Sequence, residues 1–301
     1  MALNLFYITN RPDVALIAEK YGVDRIWIDL ETLGKDERQK GMNTVKSNHK
    51  IEDIKRIKPL LKTAEMLVRV NPWHEGATSG NEGVDAEGRN TSADGVMSSV
   101  DEINAVIDAG ADVIMLPMWK SAAEVQKFLS VVDHRCKTTL LLETKEAVEC
   151  IDEVLLLDFD EIHIGLNDLH LSYGMTFMFE LLADGTVERL CEKFKAKGIP
   201  YGFGGIARLG KGTMKAEKVI MEHYRLGSTR AILSRSFCDI NLCQDMTEVE
   251  NRFKKNMKPL RDFEEYCESA DKATIEQNRL EVIESVEQIV AAMKEKDIYG
   301  T

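Results

Sequence analysis

The chain has 301 residues, 44% of them hydrophobic and 30% charged, with a formal net charge of −12. That is long for one plain domain but ordinary for an α/β barrel with additions, and the composition is that of a globular protein. The acidic balance, with Lys and Arg scattered along the sequence, argues against a nucleic-acid partner and against an anionic membrane surface.

The N-terminal run MALNLFYITNRPD lacks a basic segment and a cleavage-type site, so it reads as a first strand rather than a signal peptide. Strand-like runs follow at 3–9, 24–31, 65–71, 112–118, 138–144, 161–167, 200–205 and 230–237. They are near-continuous apolar stretches, the pattern of parallel strands covered by helices on the outside. Helix-like segments at 12–21, 51–63, 100–109, 121–132, 146–156, 184–197 and 213–226 separate most of them, several ending at a glycine. Eight alternating units without return hairpins predict an α/β protein of the (β/α)8 TIM barrel class with extra C-terminal helices.

The barrel core is assigned to 1–244 and a charged helical extension to 245–301, interrupted at Pro259. One helix of the extension should close the barrel, and the rest should pack on the barrel or on a neighbouring subunit. The polar, Gly-rich segment 74–99 reads either as a lid over the mouth or as a mobile surface insertion. No run approaches the roughly 18 apolar residues of a membrane span. The six cysteines form no CxxC pair and no disulfide framework, so they read as reduced thiols in a cytoplasmic protein.

Chemistry is expected at the C-terminal strand ends, where α/β barrels carry it. The stretch 138–171 holds two strands, one ending on Glu143 and the other two residues short of Asp168. Two desolvated carboxylates on adjacent strand ends suit Mg²⁺, which takes one or two carboxylates and keeps other positions open; the alternative is a pair of salt-bridged or helix-capping acids. Arg69 in LVRVN either grips a substrate carboxylate in the mouth or pairs with a barrel acid. Asp29 and Glu31 in WIDLE share one strand face. They either hold water and accept a proton or merely neutralise Arg69. The turn Gly165-Leu166-Asn167-Asp168 offers backbone N–H groups to a carboxylate or an enolate oxygen, and Gly204-Gly205 does so more weakly. No strand interior holds a lysine, which disfavours imine chemistry, and no GxGxxG, GxSxG or HExxH is present.

LLETKEAV followed by EIHIGLNDLHLSYG resembles the HpcH/HpaI aldolase and citrate lyase β-subunit family. DRIWIDLE, LVRVN and IMLPMWKSAAEVQKF are similar to that family's second, third and fourth strands, so the likeness spans roughly residues 24–175. The resemblance implies a homo-oligomeric (β/α)8 barrel that makes or breaks C–C bonds through an enolate with Mg²⁺ (or Mn²⁺ or Co²⁺). It implies Glu143 and Asp168 as metal ligands, Arg69 on the oxo-acid carboxylate and enolate oxygen, Gly165 and Asn167 as backbone donors, and Asp29 and Glu31 as the acidic second-strand pair. The aldolase branch has a His after the second-strand Glu; here it is Thr32, closer to the citrate-lyase branch. The expected activity is metal-dependent cleavage of a small hydroxy-oxo acid to pyruvate or a similar oxo acid plus an aldehyde. A metal-bound water placed by Asp29 or Glu31 would be the base. Two other expectations are a lyase or hydrolase of an acyl-CoA or acyl-carrier thioester, and a non-catalytic metal- and oxo-acid-binding subunit.

Overall fold

The computed structural model describes residues 2–34, 48–75, 82–84, 90–92, 97–238 and 245–299. The apolar runs form strands β1 (Asn4–Ile8), β2 (Arg25–Asp29), β3 (Glu65–Arg69), β6 (Val113–Leu116), β7 (Lys137–Leu142), β8 (Glu161–Ile164), β9 (Tyr201–Ile206) and β10 (Arg230–Leu233). They pair in parallel as a closed barrel in the order β1-β10-β9-β8-β7-β6-β3-β2, with helices between the strands. The short antiparallel pair β4 (Glu82–Val84) and β5 (Asn90–Ser92) lies within the segment 74–99, read as a lid or a surface insertion. Most of that segment (76–81, 85–89 and 93–96) is outside the described residues.

Strand alternation sorts the side chains into two apolar cores. Phe6, Trp27, Leu67, Val113, Met115 and Leu141 pack with one another inside the barrel. Their neighbours, such as Ile26, Ile28, Met66, Val68, Ile114 and Leu140, join the helices in the larger outer core. All residues of β2, β6 and β8 are buried, as strands covered on both faces must be. Local chemistry fixes the helix ends. Ser98, Ser121 and Thr144 accept backbone N–H groups from Asp101, Glu124 and Ala147 at the starts of their helices. Gly198 and Gly227 end two others in the left-handed region.

The C-terminal segment departs from expectation. The helix Met246–Ser269 runs through Pro259, and the chain breaks instead at Ala270, which is extended. Pro259 is exposed, while Val249, Phe253, Met257, Leu260 and Cys267 bury one face, so packing outweighs the missing N–H bond. This helix lies against Pro12–Lys20 and Ala216–Leu226 and so closes the ring between the first and last strands. Its Glu264 accepts the Leu3 N–H at 2.7 Å. The last helix, Lys272–Tyr299, folds back onto Ala216–Leu226 and Glu180–Ala183 of the same chain and buries Val282 and Val286.

The barrel interior is layered. At the N-terminal end of the strands, Glu161 receives Arg25, Arg230 (Nε at 2.6 Å) and the Thr139 hydroxyl (2.7 Å). Arg25 also donates to Glu65 at 2.8 Å. Burial alone would raise the Glu161 pKa, but the two guanidinium groups hold it below the ordinary carboxylate value. The apolar cluster lies above this layer, with His163 beside it. His163 donates from Nε2 to the Gly204 carbonyl at 3.1 Å and is kept neutral by burial, which pulls its pKa down to about 4. Lys137 opens β7, so a lysine does begin a strand, but it is exposed at the far end and bound to Glu65. Among the described residues no helix is long and apolar enough to cross a membrane, and the five described cysteines are free.

Candidate active site at the barrel mouth

Parallel strands in register bring their last residues to one rim. Asp29 and Arg69 are paired across β2 and β3, and alternation from Trp27 and Leu67 turns both inward. Arg69 meets Asp29 through two hydrogen bonds, Nε to Oδ1 at 2.8 Å and a terminal nitrogen to Oδ2 at 3.0 Å. Its other terminal nitrogen lies 3.1 Å from Glu31 Oε2. The guanidinium sits 5.2 Å over the Trp27 ring. Burial opposes its charge, yet Asp29 and Glu31 together raise its pKa and keep it protonated. The neutralising role foreseen for the WIDLE acids is therefore present in the geometry. Thr32, where the aldolase-type pattern has His, gives its hydroxyl to Asn71 Oδ1 at 3.3 Å.

Glu143 follows β7 and is 2% exposed. Among the described residues its donor is the Met118 N–H at 3.1 Å. Its pKa is raised well above the ordinary carboxylate value by burial first, then by the negative charge of Asp168, with Arg69 pulling the other way. Asp168 is half-buried in the first turn of the helix Leu166–Ser172. The two acids named from sequence thus face each other electrostatically, and Arg69 and Glu31 act on the same point.

Gly165 is placed by close approach. A Cβ there would stand 2.7 Å from Glu143 Oε2 and 2.9 Å from its Cβ. Its N–H donates to the Leu142 carbonyl at 2.9 Å, so it is not the open donor expected for a substrate carboxylate. Gly165 supplies space instead. Asn167 is exposed in the first helical turn, where backbone N–H groups have no helical acceptor.

Three supporting residues were given no role from the sequence, where His49 reads only as a lone structural histidine. Met118 takes φ 54°, a conformation uncommon for a side chain of its size, and in it donates to Glu143. Only the Pro-Met after the fourth barrel strand hinted at it. His49 Nδ1 accepts the Asp29 N–H at 3.0 Å, from 20 residues away. Asn71 ends the same LVRVN run as Arg69. It accepts the Thr32 and Leu33 N–H groups at 2.9 and 3.0 Å and donates its side-chain amide to Glu102 at 2.9 Å. That clamp ties the loop after β2 to the end of β3.

The residues fit a small hard cation. Among the described residues no group of three or more His, Cys, Asp or Glu is placed to hold a metal ion, so any ion here would rest on the two carboxylates. A buried carboxylate with one backbone donor, raised in pKa beside a second carboxylate, is what an ion taking one or two carboxylates would relieve.

No protein-family model matches the chain, and no curated protein sequence matches it. Among solved structures, RipC from Yersinia pestis is similar, with a TM-score of 0.51 and 15% identity over 83% of this chain and 94% of that chain. At that identity the likeness is one of fold.

Proposed function

We propose that the protein is a divalent-metal-dependent carbon–carbon lyase on a (β/α)8 TIM barrel of the HpcH/HpaI aldolase and citrate lyase β-subunit type. It would cleave a small hydroxy-oxo acid to pyruvate or a similar oxo acid and an aldehyde. The observation that carries this reading is the pairing of buried Glu143 with Asp168 beside a guanidinium that stays charged.

Glu143 and Asp168 would hold Mg²⁺, Mn²⁺ or Co²⁺, which when bound supplies a Lewis acid for the oxygens of an oxo acid and its enolate. Arg69 spends three N–H groups on Asp29 and Glu31. A guanidinium has five, so two remain for the substrate carboxylate or the developing enolate oxygen. In this reading Asp29 and Glu31 act through Arg69 as positioning residues, keeping it over Trp27 and charged. Met118 and the space at Gly165 position the Glu143 carboxylate.

The test is a thermal-shift titration of metal-stripped protein with Mg²⁺ or Mn²⁺, with and without oxalate, a planar dicarboxylate shaped like an enolate. A ligand that binds only the folded state raises its stability by mass action. Stabilisation by oxalate is expected only when metal is present, and none in Asp168→Ala. Loss of turnover on aldol substrates is expected in Glu143→Ala and Asp168→Ala. A fully active double variant would exclude the metal assignment. Metal and oxalate binding without turnover of any aldol would favour a non-catalytic subunit.

A further inference from the structure

The fold gathers basic residues that the sequence disperses. A cleft of about 820 Å³ opens at the C-terminal end of the barrel strands, where β9 and β10 run into their following loops and the helix Met246–Ser269. Arg208, Lys211, Arg235, Arg252 and Lys255 line it, and none of its described lining residues is acidic. In a chain of net charge −12 such a patch is a local reversal of sign. Arg252 is bound to Glu248. Among the described residues, no ion pair engages Arg208, Lys211 or Lys255. Neutral donors complete the lining. The Ser234 and Ser236 hydroxyls lie 2.8 Å apart, and Asn256 is fixed by donating to the Phe237 carbonyl at 2.8 Å.

We propose that this cleft binds the phosphate group or groups of a small phosphorylated ligand. Arg208, Lys211 and Lys255, which no ion pair engages among the described residues, together exceed what a single carboxylate would balance. Guanidinium and ammonium groups mixed with hydroxyls suit the several oxygens of a phosphate or diphosphate. The loops after the last two strands of eight-stranded α/β barrels are also a recurrent phosphate position. The cleft shares its rim with Glu143 and Asp168, two and one strands further round, so a ligand anchored here would extend towards the mouth. The anchoring itself does not rest on the metal-site reading, since no lining residue belongs to it.

The test is calorimetric titration of the full chain with sodium pyrophosphate in metal-free buffer at fixed ionic strength, with citrate as a polyanion lacking phosphorus. Pyrophosphate is expected to bind and citrate to bind at least tenfold more weakly. The exchange of two exposed cations in Lys211→Glu/Lys255→Glu should weaken pyrophosphate at least tenfold, while Lys211→Arg/Lys255→Arg retains it. Asp168→Asn should leave pyrophosphate binding unchanged even if it removes the metal response, which separates failure here from failure of the lyase reading. No binding beyond that in matched sodium chloride, equal affinity for citrate, or an unaltered Lys211→Glu/Lys255→Glu variant would overturn the assignment. If that double variant is unstable, the single variants Lys211→Gln and Lys255→Gln decide it. Each is expected to lower affinity severalfold, and wild-type affinity in both would overturn it equally.

Discussion

Glu143 is held in a place that costs the protein stability when it is ionised. Its raised pKa means that folding without metal favours the protonated over the ionised acid, relative to the unfolded chain. That contribution is present below the ordinary carboxylate pKa and is lost as pH rises towards the elevated value. At neutral pH, Glu143→Gln should therefore raise the melting temperature of the metal-free protein, each 1 kcal/mol relieved corresponding to about 2 °C at this size. The same change should abolish stabilisation by Mg²⁺. A melting-temperature series with and without metal reads both effects, and a lower metal-free melting temperature would contradict the first. Gly165→Ala acts on the same point from the other side. Its new Cβ would sit 2.7 Å from the carboxylate oxygen, so a loss of about 1–3 kcal/mol is expected in denaturant unfolding, with weaker metal response. Glu143, Asp168 and Arg69 were legible in the sequence because each stands at or just past the end of an apolar strand. Met118 and His49 were not. A positive φ at methionine has no compositional signature, and a histidine 20 residues from Asp29 reaches it only once the chain is folded.

At the scale of the element, strands and helices followed their patterns closely, since apolar runs and glycine stops encode them locally. The C-terminal helix did not. Pro259 read as a break, yet the helix continues because its buried face is anchored on both sides of the proline. An exposed proline inside a helix is about 3 kcal/mol less favourable than alanine. Pro259→Ala should accordingly stabilise the protein, by up to about 3 kcal/mol in denaturant unfolding. An unchanged or lowered stability would mean that the helix ends at this residue after all. The short helices Leu166–Ser172 and Glu180–Ala183 went unread because each is too brief to show a period.

For the whole molecule, eight apolar runs alternating with helices were enough to foresee a closed barrel. The basic cleft was not foreseen, because a separation of 47 residues between Arg208 and Lys255 hides their proximity. The ionic layer at the other end of the barrel gives a prediction for the molecule as a unit. The folded Glu161 pKa lies below the unfolded value, so its contribution is complete above about 4.5 and is lost as pH falls through the folded pKa. Melting temperature should drop through that acid range. Glu161→Gln should flatten the drop while costing about 3–5 kcal/mol at neutral pH, since Arg230 would lose its carboxylate and buried Arg25 would keep only Glu65. A melting-temperature profile as steep as the wild type would locate the acid sensitivity elsewhere.

The stacking of charge, hydrocarbon and charge along the barrel axis also bears on how the strands find their alignment. A slip by one residue would turn Arg25, Trp27 and Asp29 out of the barrel together. A slip by two would preserve their direction but move Arg25 out of reach of Glu161, and Asp29 out of reach of Arg69. Every misaligned closure therefore strands at least one ion in an apolar stratum, whereas a barrel filled only with aliphatic side chains would tolerate several. The two ionic tiers act as end stops: they contribute to selecting one registry among many compact alternatives, whatever their net effect on stability.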